Sequence, residues 1–176
     1  MNDPNYRQRR RHALNALDLS RIDTPLQPLM RAFGGLGVCY TLQCCFGHFV
    51  HAGQRDPHNL VPPPDNPLNG PIDYRIAYVA LCIQSCRQGR RLRDALAHIV
   101  AIDRQYIQFG CAEWFWQRHP NTFVLQVEPL RYQHLDQVAI DDREARHIAR
   151  VRDRFFRHLL RVISEYHRAP VSNHEG

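Results

Sequence analysis

Apolar residues recur at helical spacing over Leu26, Leu29, Met30 and Phe33, after a Thr24-Pro25 pair suited to a helix start, and Gly34-Gly35 closes the run. A short helix over about 25–33 is predicted. From Leu36 to Phe46 the period drops to two, which predicts a strand. Strict alternation puts Val38, Tyr40, Leu42, Cys44 and Phe46 toward the core, and Cys39, Thr41, Gln43 and Cys45 on a polar, thiol-bearing face. Tyr74 to Gln84 is apolar on both parities and reads as one central strand covered on both faces. Leu92, Ala95, Leu96, Ile99, Ile102 and Tyr106 predict a helix over about 90–108, with Gly110 as its left-handed stop.

Beyond it, 111–117 and 122–128 alternate around Arg118-His119-Pro120-Asn121, the pattern of an antiparallel hairpin. Trp114 and Trp116 would share one face, as would Phe123, Leu125 and Val127 on the partner strand, and Pro129 ends the ladder. The last element starts at Asp141, which can cap while Glu144 reaches back, and runs to about Tyr166. Ile148, Val151, Phe155, Leu159, Val162 and Tyr166 form its apolar stripe. Arg143, Arg146, Arg150, Arg154, Arg157 and Arg161 stack on the opposite face.

Two stretches break the periodicity. The first 20 residues carry Arg7, Arg9, Arg10 and Arg11 ahead of Leu14, Leu17 and Leu19, as a basic arm or a short helix would. Residues 53–73 hold six of the twelve prolines and form a long loop, of the kind used either as a lid or as a mobile insertion. No internal repeat appears. The expected architecture is α+β, one domain over 21–169 with a mixed or mostly antiparallel sheet and a tail over 170–176.

Composition narrows the class. A chain of 176 residues, 44% hydrophobic and 23% charged, can bury its own core, which excludes a disordered or collagen-like polymer. No apolar run approaches the roughly 20 residues that span a bilayer, and MNDPNYRQRRRH leads into no apolar leader, so a soluble cytoplasmic protein without a membrane partner is expected. Six cysteines in that setting read as reduced thiols. All 23 basic residues are arginine, with a net charge of +6; guanidinium suits bidentate contact with phosphate or carboxylate, although such an excess also serves solubility alone.

Chemistry concentrates where the first strand ends, in Thr41-Leu42-Gln43-Cys44-Cys45-Phe46-Gly47-His48. Thr41, Gln43 and Cys45 share the polar parity, Gly47 permits close backbone approach to a ligand, and His48 offers an imidazole. The plain alternative is a strand closing on a glycine turn with thiols packed inside. Cys44, Cys45, His48 and His51 are ligand types suited to zinc, but on a straight strand they divide between two faces and no paired motif repeats elsewhere, so no metal is expected. Gly34-Gly35-Leu36-Gly37 precedes a strand instead of opening a helix, which excludes a phosphate-binding loop of the usual kinds, and no serine-hydrolase elbow occurs.

This segment resembles the Thr-Ser-Ser-Cys-Ser-Gly-Arg motif of the S-adenosylmethionine-dependent methyltransferases that act third in tRNA wybutosine synthesis. Related proteins with a Ser-Cys-x-Gly-His version are closer still. Phe123-Val124-Leu125-Gln126-Val127-Glu128-Pro129 is similar to the strand ending in Glu-Pro or Gln-Pro near that group's cofactor region. Thr41, Cys45 and Gly47 fit the motif; Cys44 stands where serine is usual and His48 where the methyltransferases carry arginine. His134 falls one place later than the group's histidine after the proline. The resemblance implies a related fold with a pocket near Cys45 and Glu128, S-adenosylmethionine or another nucleotide-like or anionic ligand as its occupant, and a role in RNA modification.

The arginine stripe of the last helix could track an RNA backbone through Arg146, Arg150, Arg154, Arg157 and Arg161. Trp114, Trp116, Phe123 and Tyr132 are candidate base-stacking platforms, though aromatics on a hairpin more often serve the core. The competing expectation is a non-catalytic interaction module that works through the arginine face. Nothing in the sequence identifies a base that would activate Cys45 as a nucleophile.

Overall fold

The computed structural model describes residues 3–112, 118–132 and 135–168. Trp114, Trp116 and His134 lie outside them.

Helix α1 (Tyr6–Asn15) is followed by 3-10 turns at Leu19–Arg21 and Thr24–Leu26, helix α2 (Gln27–Gly35), β1 (Cys39–Cys45), β2 (His48–Val50), β3 (Ile72–Arg75) and β4 (Ala77–Ile83). Helix α3 (Arg87–Ala97), a 3-10 turn at His98–Ile102, β5 (Ile107–Cys111), β6 (Thr122–Val127), a 3-10 turn at Leu130–Tyr132, β7 (Gln137–Ile140) and α4 (Asp142–Arg168) follow among the described residues. The strands form two antiparallel sheets, ordered β1-β4-β6-β5 and β2-β3-β7. The protein is thus α+β with a long C-terminal helix.

The run from Tyr74 to Gln84 is not one strand. It breaks at Ile76, so that β3 pairs in the small sheet and β4 in the large one. Buried Tyr74 holds the crossing: its hydroxyl donates to the Val127 carbonyl at 2.8 Å and accepts from the Ala77 N–H at 3.0 Å. The predicted helix over 90–108 also ends early. Its last turns tighten to 3-10 over His98–Ile102, Asp103 is extended, and Ile107 already pairs with Val127 at the start of the hairpin. Gly110 therefore sits in a strand rather than at a helix stop.

The core lies between the large sheet, α2, α3, α4 and the small sheet, and holds Phe33, Leu81, Leu92, Leu125, Phe155 and Leu159 almost fully buried. Each such side chain contributes about 1.5–3 kcal/mol relative to an exposed one. Helix α1 packs on the opposite face of the large sheet, where Tyr6 meets Tyr40 with ring centroids 5.7 Å apart. Arg10 donates to the Leu36, Cys39 and Gly34 carbonyls, so the N-terminal basic segment is a docked helix and not a free arm.

The N-terminus of α4 is capped as expected, with the Glu144 N–H donating to Asp141 Oδ1 at 2.8 Å. The Glu144 carboxylate does not reach back. It accepts instead from Tyr106 and Arg131. The proline-rich loop is stapled to the body: Asn59 donates to the Phe49 carbonyl at 2.9 Å, and the Leu68 N–H to Asp142 Oδ1 at 3.2 Å. Pro63 is buried.

Candidate functional site

The face assignments along β1 change at a β-bulge between Thr41 and Gln43. One extra residue inverts the alternation, because directly paired residues in an antiparallel sheet share a face. Cys39, Thr41 and Cys44 pair with Ile83, Leu81 and Val79 on the core side; Tyr40, Gln43 and Cys45 pair with Cys82, Ala80 and Tyr78 on the other. The expected polar set is therefore split, with Thr41 turned toward the core and Gln43 and Cys45 kept together. Burial pushes the thiols of Cys39 and Cys44 each up to about 12. No disulfide joins any of the six cysteines.

Cys45 opens a polar row across the large sheet. It pairs with Tyr78, Tyr78 with Gln126, and Gln126 with Gln108, one residue from each strand on the same face. Tyr78 donates to Gln43 Oε1 at 3.5 Å, Gln126 donates to the buried Glu128 carboxylate, and Gln108 donates to the Glu128 carbonyl at 3.1 Å. Gln43 and Cys45 thus stand on the face of the large sheet that carries Tyr78 and Gln126, with Gln43 bonded to Tyr78 and Glu128 bonded to Gln126 and Gln108 as two separate groups.

His48 stands at the end of this surface and is 2% exposed. Its Nδ1 is 2.7 Å from the Asn59 carbonyl, and its Nε2 is 3.4 Å from Asp23 Oδ2. The same Asp23 oxygen accepts from the Phe46 N–H at 2.8 Å. Asp23 and, next, Cys45 push the imidazole up to about 10 against the opposing effect of burial, with the Asn59 carbonyl adding to the rise. The imidazole in turn holds the Asp23 carboxyl below its usual range. Asp23, Cys45 and His48 each offer one ligand-type atom, all within 4.8 Å of one another, which is the arrangement among the described residues able to hold a metal ion.

Gly47 serves packing, not close approach to a ligand. Its φ is +88°, and a Cβ there would meet the Ala77 Cβ at 2.7 Å, where the backbone crosses between the sheets. Its carbonyl accepts from Arg152 at 3.0 Å. Arg152 is itself 2% exposed, stacks its guanidinium 4.2 Å from the Phe46 ring centroid and pairs with Asp153.

An open groove of about 950 Å³ runs along the free edge of β1, between α1 and the segment leading to α2. Thr41, Leu42, Gln43 and Cys44 form its β1 wall, and Arg9, Arg11, His12 and Arg21 give it a positive rim. Arg9 is tied to Asp3 and the Arg118 carbonyl. Arg11 and Arg21 are exposed and make no ion pair among the described residues. Gln43 lines the groove and accepts from Tyr78 of the polar row, so the two meet there.

On α4, Arg146 is committed to Asp142 at 2.8 Å and to the Asp65 carbonyl. Arg143, Arg150, Arg154, Arg157 and Arg161 are exposed and have no ion pair among the described residues. Phe123 stacks on Phe109 with centroids 5.8 Å apart and packs against the core, as does Tyr132, so neither is a free stacking platform.

Sequence reasoning missed Asp23, Tyr78 and Arg152. Asp23 lies 22 positions before Cys45 (45 − 23) in the approach to a helix, with no local signal of that contact. Arg152 did leave one: it falls within the apolar spacing Ile148, Val151, Phe155, Phe156 rather than on the arginine stripe.

No protein-family model matches the chain, and no curated protein matches it. Solved structures do. The PH1069 protein from Pyrococcus horikoshii superposes with a TM-score of 0.51 at 11% identity, covering 94% of this chain and 97% of that one. A second structure of that protein, from strain OT3, gives 0.48 at 10% identity over 94% and 93%. A hypothetical protein from Aeropyrum pernix gives 0.45 at 8% identity, covering 82% of this chain and 97% of that one. The chain shares its fold with the first of these, and at this identity the likeness concerns fold alone. No helix among the described residues is long and apolar enough to cross a membrane.

Proposed function

We propose that the protein binds S-adenosylmethionine or another nucleotide-like ligand in the groove along β1 and acts in cytoplasmic RNA modification, in the manner of the wybutosine-synthesis methyltransferases that its first strand resembles. The observation that carries this reading is the meeting of the groove with the polar row at Gln43. A volume of about 950 Å³ accommodates such a ligand. Uncommitted Arg11 and Arg21 suit a carboxylate or phosphate, while Leu17, Ile22 and Leu42 offer apolar surface for a base.

On this reading the protein aligns a methyl donor with an RNA acceptor, and the donor carries the reactive methyl group. Gln43, which lines the groove and accepts from Tyr78, orients what reaches that end of it. Isothermal titration with S-adenosylmethionine tests it: saturable heat and a raised melting temperature are expected, and no heat together with an unchanged melting temperature would count against it.

The exposed arginines of α4 favour a second reading, an interaction module that contacts RNA without catalysis. Arg143, Arg150, Arg154, Arg157 and Arg161 present charge that no carboxylate of the described residues neutralises. RNA binding with no response to any methyl donor would favour it.

A further inference from the structure

We propose that Asp23, Cys45 and His48 form a binding site for a divalent metal ion of the zinc type. Carboxylate oxygen, thiolate sulfur and imidazole nitrogen are zinc's usual protein ligands, and here one of each converges within 4.8 Å. Strand parity argued against a metal because it assumed a straight strand. The positive φ of Gly47 turns the chain, and His48 folds back beside Cys45 to meet Asp23, which arrives from the segment before α2.

The Asp23–His48 distance, an ion pair in itself, also suits two ligands sharing one ion. A charge-assisted N–H···O bond spans about 2.7–2.9 Å. Two ligand atoms about 2.0–2.1 Å from a tetrahedral ion lie about 3.3–3.4 Å apart. His48 Nε2 and Asp23 Oδ2 are 3.4 Å apart, the length of an edge of that tetrahedron.

The surroundings are those a ligand histidine needs. The Asn59 carbonyl can only accept, so Nδ1 keeps its hydrogen at 2.7 Å and Nε2 is left to bind. The Phe46 N–H fixes the Asp23 carboxylate. Binding displaces the Cys45 thiol proton and any proton on Nε2, both released to solvent. His48 is closed off from solvent, whereas the Asp23 side chain is 23% exposed, so the ion enters past Asp23. Three protein ligands leave a fourth position for water or a substrate group, as in catalytic rather than structural zinc sites.

Cobalt is the probe. Full-length protein stripped with a chelator is titrated with Co²⁺ under reducing, anaerobic conditions. The expected result is one equivalent bound, with the visible bands of tetrahedral cobalt and a near-ultraviolet thiolate-to-cobalt band, both abolished by one equivalent of Zn²⁺. Cys45→Ser removes the thiolate band, and Asp23→Asn weakens binding by more than the roughly 10–100-fold that removing an outer-shell partner costs. Cys44→Ser, on the core side, retains both signals. Circular dichroism establishes that each variant is folded. Folded wild-type protein that binds no cobalt, or a thiolate band that survives Cys45→Ser, would overturn the site and leave an ion pair only. The result is independent of whether S-adenosylmethionine binds.

Discussion

A Cβ on Gly47 would stand 2.7 Å from the Cβ of Ala77 while the backbone holds a φ of +88°. These two residues set where the chain leaves the large sheet and turns back on itself, and they bring His48 to Cys45 and Asp23. Gly47→Ala must both strain the backbone and overfill the crossing. The expected loss is about 2–6 kcal/mol, summing a left-handed penalty and an overpacking cost of about 1–3 kcal/mol each. Urea denaturation measures it, and a loss under about 0.5 kcal/mol, the level of an ordinary surface substitution, would mean the turn is not fixed as described.

Arg152 supports the same turn from below. Replacing it by Ala removes the bond to the Gly47 carbonyl and the stacking on Phe46, and leaves a void. Arg152→Ala should destabilise by about 2–4 kcal/mol and Arg152→Met by about half as much, since Met refills most of the volume. Thermal melts of the two variants check the order.

The Asp141 cap offers a smaller, cleaner test. Asp141→Ala frees the Glu144 N–H and should cost about 1 kcal/mol, whereas Asp141→Asn or Ser should cost a fraction of that. Equal losses for all three would point away from capping.

Much of this framework is legible in the sequence for physical reasons. The long helix carries a 3.6-residue stripe and its own cap, and the second hairpin strand carries strict alternation, so both are set by local pattern. The first hairpin strand, expected over 111–117, is instead Ile107–Cys111, paired where a helix was expected. The bulge between Thr41 and Gln43 and the break at Ile76 carry no such pattern. Each depends on pairing with strands distant in the chain, and the bulge alone moves Thr41 off the face that Gln43 and Cys45 share. The Asp23–His48 contact is likewise purely tertiary. The split within the arginine stripe is partly local, because Asp142 lies one turn before Arg146 on the same helix, and the proline-rich loop adds the Asp65 carbonyl as a tertiary partner.

That split predicts unequal roles in RNA binding. Replacing Arg150, Arg154 and Arg157 by Gln should lower affinity and flatten the salt dependence by a slope of about 0.7 for each single-strand phosphate that is no longer neutralised. Arg146→Gln should change the slope little, since its guanidinium is already occupied. Fluorescence anisotropy with a labelled RNA across a salt series reads both.

In the groove, Arg11→Gln combined with Arg21→Gln should weaken S-adenosylmethionine about tenfold or more, the equivalent of one or two charged hydrogen bonds, with no change in melting temperature. Titration calorimetry and a thermal melt on the same samples separate weakened affinity from weakened stability.

Amide hydrogen exchange in the presence and absence of saturating S-adenosylmethionine reports directly where the ligand sits. Slowed exchange is predicted in α1, in 17–22 and in 41–45, with α3 and the exposed face of α4 unchanged. Exchange that is identical in the two samples, or protection confined to regions away from the β1 edge, would contradict the assignment of the groove.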